Sequence, residues 1–274
     1  MRSWIVQGVT PILCGLALLL GVIALGRAAR ASLRDQPGYM IAFNDIECEP
    51  PQGMTRREFL TEVRQLSRQP QPLHLLDEGL TARLSRVFAS HPWVESVRSV
   101  EIRDPRTAIR KVKATVRVEL TYRQPVLAVN ALIPVRAVDR HGVLLPVSVV
   151  HSRLPVLSGD VAPPAGNAGV GWGDRRVTAA AATAAFLKPH LKRLRLDDCD
   201  IEIVGGEVVF CKPGVRVVWG HAPGQESDGE APADVKLRRL LEYQAGHEGL
   251  ESLEHDVRLL AYQGHFPLTP DGQP

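Results

Sequence analysis

Residues 115–122 read TVRVELTY, and this octet limits the fold more than any other stretch. Val116, Val118, Leu120 and Tyr122 fall on one side at a period of two; Thr115, Arg117, Glu119 and Thr121 fall on the other. A strand of that kind buries one face and wets the other, so an apolar layer has to cover it. The chain offers such a layer upstream. Phe59, Leu60, Val63 and Leu66 share one face of a helix over TRREFLTEVRQL, and Thr55 with Glu58 opens it as a capping box. Leu80, Leu84, Val87 and Phe88 repeat the stripe in a second helix, with Asp77 as its candidate cap. YMIAFNDIEC supplies a strand before both helices, and Val100 and Ile102 begin another after them. The implied order over residues 40–122 is strand, helix, helix, strand, strand, with both helices on one side of a three-stranded sheet.

The second helix runs into His91-Pro92-Trp93. Pro92 disfavours helical geometry in the residue before it, which frees Trp93 to cover the seam between helix and sheet. Both residues are read as structural.

Beyond Gln124 the texture changes. PVLAV, VRAVD, VLLPV, DIEIV, EVVFC and VRVVW are short apolar runs separated by Pro, Gly and Asp. They predict a mainly antiparallel β domain over residues 123–266, then a flexible tail at 267–274. TAAAATAAFL and DVKLRRLLEYQ add peripheral helices, while residues 158–175 and 221–233 read as mobile surface loops. DRHG is turn chemistry, which makes Asp139 and Gly142 structural residues of a hairpin. The fold class is α+β.

Residues 9–26, VTPILCGLALLLGVIALG, carry no charge. A helix of that length, rising about 1.5 Å per residue, nearly crosses the hydrocarbon layer of a membrane. Two readings fit. One is an uncleaved transmembrane helix between a short cytoplasmic stub (1–8) and a charged tether (27–39). The other is a signal peptide cleaved near AARA at 28–31. The length of the run and the arginines behind it (Arg27, Arg30, Arg34) favour the anchor. Those same arginines, taken alone, would hold the following domains in the cytoplasm.

The chain has four cysteines. Cys199 and Cys211 flank DIEIVGGEVVF. With a three-residue loop at Val204–Gly206 they face each other across a hairpin, within disulfide reach. Two half-buried thiols are the other reading.

Chemical signals are sparse. Aromatic residues are 5% of the chain, the net charge is +3, and no block of like charge stands out, which argues against a nucleic-acid partner. His247 and His255 lie too far apart, with Gly249 between them, for a helical zinc pair. Asp197, Asp198 and Asp200 offer too few oxygen ligands for calcium. The glycines of GNAGVGWGD do not follow a strand and open a helix, and no Gly-x-Ser-x-Gly elbow or P-loop occurs. No motif of these kinds marks a cofactor, metal or small-molecule site, although missing motifs do not exclude an enzyme, because triads assemble across the fold.

HPWVESVRSVEIRDPRTAIRKVKATVRVELTYRQPVLAV resembles a run in the bacterial cell-division proteins FtsQ and DivIB, through Tyr122, Arg123, Pro125, Val126 and Ala128. Val138, Asp139 and Gly142 are similar to that family's Val-Asp-x-x-Gly hairpin. LPVLSG (154–159), VVWG (217–220), VKLRRL (235–240) and DVRLLAYQG (256–264) follow in the family's order. The amino-terminal stub is shorter than is usual there, and Asp256-Val257-Arg258 stands where Asp-Leu-Arg is expected. The resemblance implies a single-pass protein of the cytoplasmic (inner) membrane, amino terminus inside, with a POTRA-like domain and a β domain outside. It implies no catalysis and no cofactor, but a non-enzymatic scaffold at the septum that binds division proteins similar to FtsB and FtsL. It also implies strand addition near the last strand, which nominates Arg258, Leu259, Leu260 and Tyr262 as partner-binding residues. The alternative is a POTRA-containing envelope protein in export or assembly; an exported hydrolase is a third class.

Overall fold

The computed structural model describes residues 15–29, 39–69, 71–103, 115–131, 134–147, 153–213, 215–246 and 257–258. The chain divides into two compact units, Met1–Thr121 and Tyr122–Pro274.

In the first unit, helix α1 covers residues 15–29 with its side chains exposed. Within the described residues its apolar part runs to Gly26, before Arg27, and rises ~18 Å against a hydrocarbon core of ~30 Å. Among the described residues no helix is long and apolar enough to cross a membrane. This corrects the expectation of a transmembrane helix over 9–26, and with it the single-pass inner-membrane placement built on that helix. Residues 9–14 lie outside the described residues.

Helix α2 (Arg56–Ser67) starts at the expected capping box. The Glu58 N–H donates to Thr55 Oγ1 at 3.3 Å, and the Thr55 N–H donates to Glu58 Oε2 at 2.8 Å. Phe59, Leu60 and Val63 are buried, but Leu66 is 60% exposed and leaves the predicted stripe. Helix α3 (Leu80–Ala89) buries Leu80, Leu84, Val87 and Phe88. Its cap is Gly79 in a left-handed conformation (φ +73°). Asp77 instead accepts from Arg83 Nη2 at 3.3 Å. Phe88 joins the layers, with ring centroids 5.9 Å from Phe43 and 6.1 Å from Phe59.

The sheet departs from expectation in its pairing. Strand β1 (Met40–Ile41) pairs antiparallel with β2 (Leu73–His74), a segment between the helices that the sequence pattern does not mark as a strand. Strands β3 (Val94–Arg103) and β4 (Thr115–Tyr122) form a separate pair. Their third member is a single parallel bridge: Glu47 donates to Val116 O and accepts from Val118 N–H, both at 2.8 Å. Val116 and Val118 are buried while Arg117 and Glu119 are exposed, so the alternation in TVRVELTY maps onto two real faces.

The second unit holds a seven-stranded sheet in the order β11-β10-β9-β8-β7-β5-β6. The strands are β5 (Leu127–Val129), β6 (Arg136–Val138), β7 (Val156–Leu157), β8 (Asp200–Val204), β9 (Glu207–Lys212), β10 (Val215–Gly220) and β11 (Val257–Arg258). The pairs β5/β6, β8/β9 and β9/β10 are antiparallel, whereas β5/β7, β7/β8 and β10/β11 are parallel. The sheet is therefore mixed, correcting the expected mainly antiparallel domain. The physical reason is connection length. A parallel neighbour needs a long crossover, and the chain from β7 to β8 supplies one in helices α4 (Arg175–Leu187) and α5 (Leu191–Leu194). Ala180, Ala181 and Ala184 of α4 are fully buried, and their small side chains let the helix sit close to the sheet. They share a core with Leu127, Val129, Ile201, Phe210 and Trp219, and with Leu240 and Tyr243 of α6 (Ala233–Gly246).

The glycine-rich stretch at 158–175 is pinned, contrary to its reading as a mobile loop. Trp172 is buried and donates through Nε1 to Ala162 O at 2.7 Å. The Trp172 N–H reaches Gly142 O at 2.9 Å, and Leu144 exchanges hydrogen bonds with Val170 O and the Gly169 N–H.

Candidate functional site

VRVVWG forms β10 with Val217 and Trp219 in the core on one face and Val218 buried on the other. Against β9 the register runs Val217↔Phe210 and Val218↔Val209, then slips at Trp219 so that Gly220 meets Val208. Gly220 has φ +91°, a conformation that suits glycine and ends the strand. On its other side β10 receives β11 in parallel, through Val217↔Val257 and Val218↔Arg258. Strand β11 is last in the sheet order, and among the described residues no strand lies beyond it. An edge of this kind presents backbone donors and acceptors to any extended chain that aligns with it.

Immediately after β10 the chain is fastened by a clasp that the sequence reading missed. Glu230 is 5% exposed, and its two carboxylate oxygens collect four donors. Oε1 accepts from the His221 N–H at 2.9 Å and from Lys236 Nζ at 2.8 Å. Oε2 accepts from the Ser227 N–H at 2.9 Å and stands 2.8 Å from His221 Nδ1. Lys236, with no exposed side-chain surface, also donates to His221 O at 3.2 Å and lies 4.9 Å from the centre of the Trp219 ring. Burial alone would raise the Glu230 pKa, but the hydrogen bonds from Lys236, Ser227 and His221 outweigh it and hold the carboxyl at about 2. A signal for this cluster was present. Lys236 occupies the buried register of α6 with Ala233, Leu240 and Tyr243, and a lysine there needs a carboxylate partner.

Serine, histidine and glutamate meet here, yet the geometry differs from that of a hydrolytic relay. Ser227 Oγ is 3.0 Å from His221 Nδ1, the same nitrogen that faces Glu230, and 3.4 Å from Nε2. A relay holds the nucleophile and the carboxylate on opposite ring nitrogens. In this arrangement both compete for one atom, and the cluster fastens a loop.

The other expected residues are scattered. Arg258 contributes backbone to β11, while Leu259, Leu260 and Tyr262 lie outside the described residues. Asp139 is buried and closes its turn: Oδ1 accepts from the N–H groups of His141 and Val143 at 2.9 Å, and Oδ2 accepts from Arg123 Nη1 at 2.6 Å. Gly142 has φ +71°, and a β-carbon there would stand 3.1 Å from Thr178 Oγ1. Trp93, 8% exposed, donates its N–H to the buried His91 ring at 3.3 Å. Pro92 sits half-buried between them in the turn that His91 O and the Val94 N–H close at 2.9 Å. Burial pushes the His91 pKa down, and the carboxylate of Glu62 at 3.3 Å opposes that.

The β8–β9 hairpin closes through two residues, Gly205 and Gly206, with Val204 opposite Glu207. The expected three-residue loop is thus one residue too long. Cys211 faces Asp200, Cys199 precedes the strand, and both thiols are free. Burial pushes the Cys199 thiol up to about 12 and raises that of Cys211 as well.

In the comparisons with known proteins, no family model matches the chain and no curated protein matches it.

Proposed function

We propose that this chain is a non-enzymatic scaffold of the cell-division machinery, which captures an extended segment of a partner division protein as an added strand beside β11. The observation that carries this reading is the position of β11: a two-residue parallel strand that ends the sheet order. Its backbone supplies affinity through main-chain hydrogen bonds, and the side chains along 257–262 supply selectivity. The clasp at Glu230 fastens the chain directly after β10, the strand that pairs with β11. Support for the division role comes from the ordered motifs at 91–129, 138–142, 154–159, 217–220 and 256–264, which are similar to those of FtsQ and DivIB. On that resemblance the captured segment belongs to a protein similar to FtsB or FtsL.

The test uses Arg258→Pro, which removes a backbone donor from β11. A fluorescent fusion of the parent chain in its own host gathers at the division site, and the variant does not. The purified parent retains an FtsB- or FtsL-like partner in a pulldown, and the variant loses it while melting like the parent. A parent fusion spread evenly over the cell, or equal retention by parent and variant, overturns the proposal.

A further inference from the structure

The corner between α3 and β3 holds a buried histidine that neither the strand edge nor the clasp uses. His91 is 2% exposed, and both of its ring nitrogens are engaged. Nδ1 accepts the Trp93 N–H at 3.3 Å, so it carries no proton. The ring proton therefore sits on Nε2, which donates to Glu62 Oε2 of α2 at 3.3 Å. The ring also meets Phe59 of α2 in a T-shaped contact, with centroids 4.9 Å apart. Phe59 neighbours Phe88, and Phe88 neighbours Phe43, so the imidazole closes one end of a row of aromatic rings. The main chain is fixed at the same place. The His91 N–H donates to Phe88 O at 3.1 Å, and His91 O accepts the Val94 N–H at 2.9 Å.

We propose that His91 is an acid-sensitive latch: as a neutral ring it ties α2 to the corner between α3 and β3, and protonation of Nδ1 releases that corner. A second proton has one place to go, Nδ1, where it faces the Trp93 N–H donor to donor. The Trp93 amide then loses its acceptor in a buried site. Glu62 acts in the other direction, as an anion beside Nε2, but its side chain is 53% exposed and solvent screens it. Burial is the larger effect and holds the ring neutral below the ordinary histidine range. Among the described residues Glu62 is the charged group that acts on the ring. From α3 the ring's residue meets the Phe88 carbonyl, from the start of β3 the amides of Trp93 and Val94, and Arg86 of α3 gives its Nε to Ala82 O. A charged ring reaches water by turning outwards, which takes it off Phe59 and opens the end of the aromatic row. Once the corner is open the ring titrates near its ordinary 6.5. The closed corner has the lower pKa, so the latch is fully shut above about 6.5 and weakens as the pH falls below it. The closed-to-open ratio drops by up to about tenfold per pH unit until the folded pKa is passed.

The experiment measures hydrogen–deuterium exchange of the full chain by mass spectrometry at about pH 7.5 and about pH 5.5, corrected for the intrinsic pH dependence of exchange. Peptides covering residues 91–95 of the parent lose up to about tenfold in protection at the lower pH, while those from the β8–β9 hairpin keep theirs. His91→Gln places a neutral side chain at the corner and shows the same protection at both pH values, whatever its absolute level. Glu62→Gln alters an exposed side chain, so the variant folds like the parent. It loses more protection than the parent at low pH, because the anion that opposes burial is gone. The ring resonance of His91, followed by NMR, titrates below 6.5 in the parent and lower still in Glu62→Gln. Unchanged protection in the parent, an equal loss in His91→Gln, a Glu62→Gln variant less sensitive to acid than the parent, or a ring titrating at or above 6.5 each overturns the inference. The exchange and NMR of parent and Glu62→Gln decide the matter even where His91→Gln does not fold.

Discussion

Replacing Lys236 by Met tests what the clasp contributes. The substitution keeps the length of the buried stem and removes the ammonium group. It deletes the 2.8 Å contact to Glu230 Oε1, the 3.2 Å contact to His221 O and the cation over the Trp219 ring. Glu230 remains as a buried carboxylate short of its cation, a defect worth about 3–5 kcal/mol. The pKa provides a second route to the magnitude. Holding the carboxyl at about 2 instead of its ordinary 4.5 corresponds to roughly 3 kcal/mol of folding stability from ionised Glu230. Because the folded pKa is the lower one, that stability is complete above the unfolded value near 4.5 and drains away as the pH falls towards about 2. Urea unfolding of the full chain, followed by tryptophan fluorescence, reads both effects. At neutral pH, Lys236→Met loses about 3–5 kcal/mol from the transition of the second unit. The double variant Glu230→Gln/Lys236→Met recovers part of that loss, since no unpaired charge remains. Between about pH 5 and pH 2 the parent loses roughly 3 kcal/mol more than Glu230→Gln. A Lys236→Met variant within about 1 kcal/mol of the parent, or parallel acid titrations of parent and Glu230→Gln, refutes the reasoning.

Trp93→Ala empties a buried site at the turn between α3 and β3 and destabilises the first unit by about 3–5 kcal/mol, measured by thermal melting; an unchanged curve contradicts the assigned role. Asp139→Ala removes the acceptor for two backbone N–H groups and for Arg123, and costs about 3 kcal/mol in the second unit, read by urea denaturation. Gly142→Ala forces a left-handed backbone and a 3.1 Å contact with Thr178 Oγ1, and costs about 1–3 kcal/mol in the same assay.

Local chemistry carried far along this chain. Thr55 and Glu58 announce their capping box, because both hydrogen bonds form within one helical turn. Val116 and Val118 announce their face, because alternation is a property of the strand alone. Asp139 and Gly142 announce their turn, since side chain and φ act over four residues. The same locality explains the failures. A charge-free run at 9–26 reports apolar character and not helix length, and the described helix with Arg27 inside it is too short to cross a membrane. Between the two readings of Cys199 and Cys211, a facing pair and two thiols, the hairpin register decided: one residue fewer in the turn set Cys211 opposite Asp200, and both thiols are free.

By itself, then, the amino-acid order determined the helices α2, α3 and α4, the two-faced strand β4 and the Asp139 turn, since each rests on periodicity or on contacts a few residues apart. Only the tertiary structure decided that β1 pairs with β2, that β7 and β11 enter the sheet in parallel, and that Lys236, Glu230 and His221 meet behind β10. Those outcomes depend on how distant segments share one core and satisfy one another's buried polar groups. That competition has no local period and no fixed spacing to betray it.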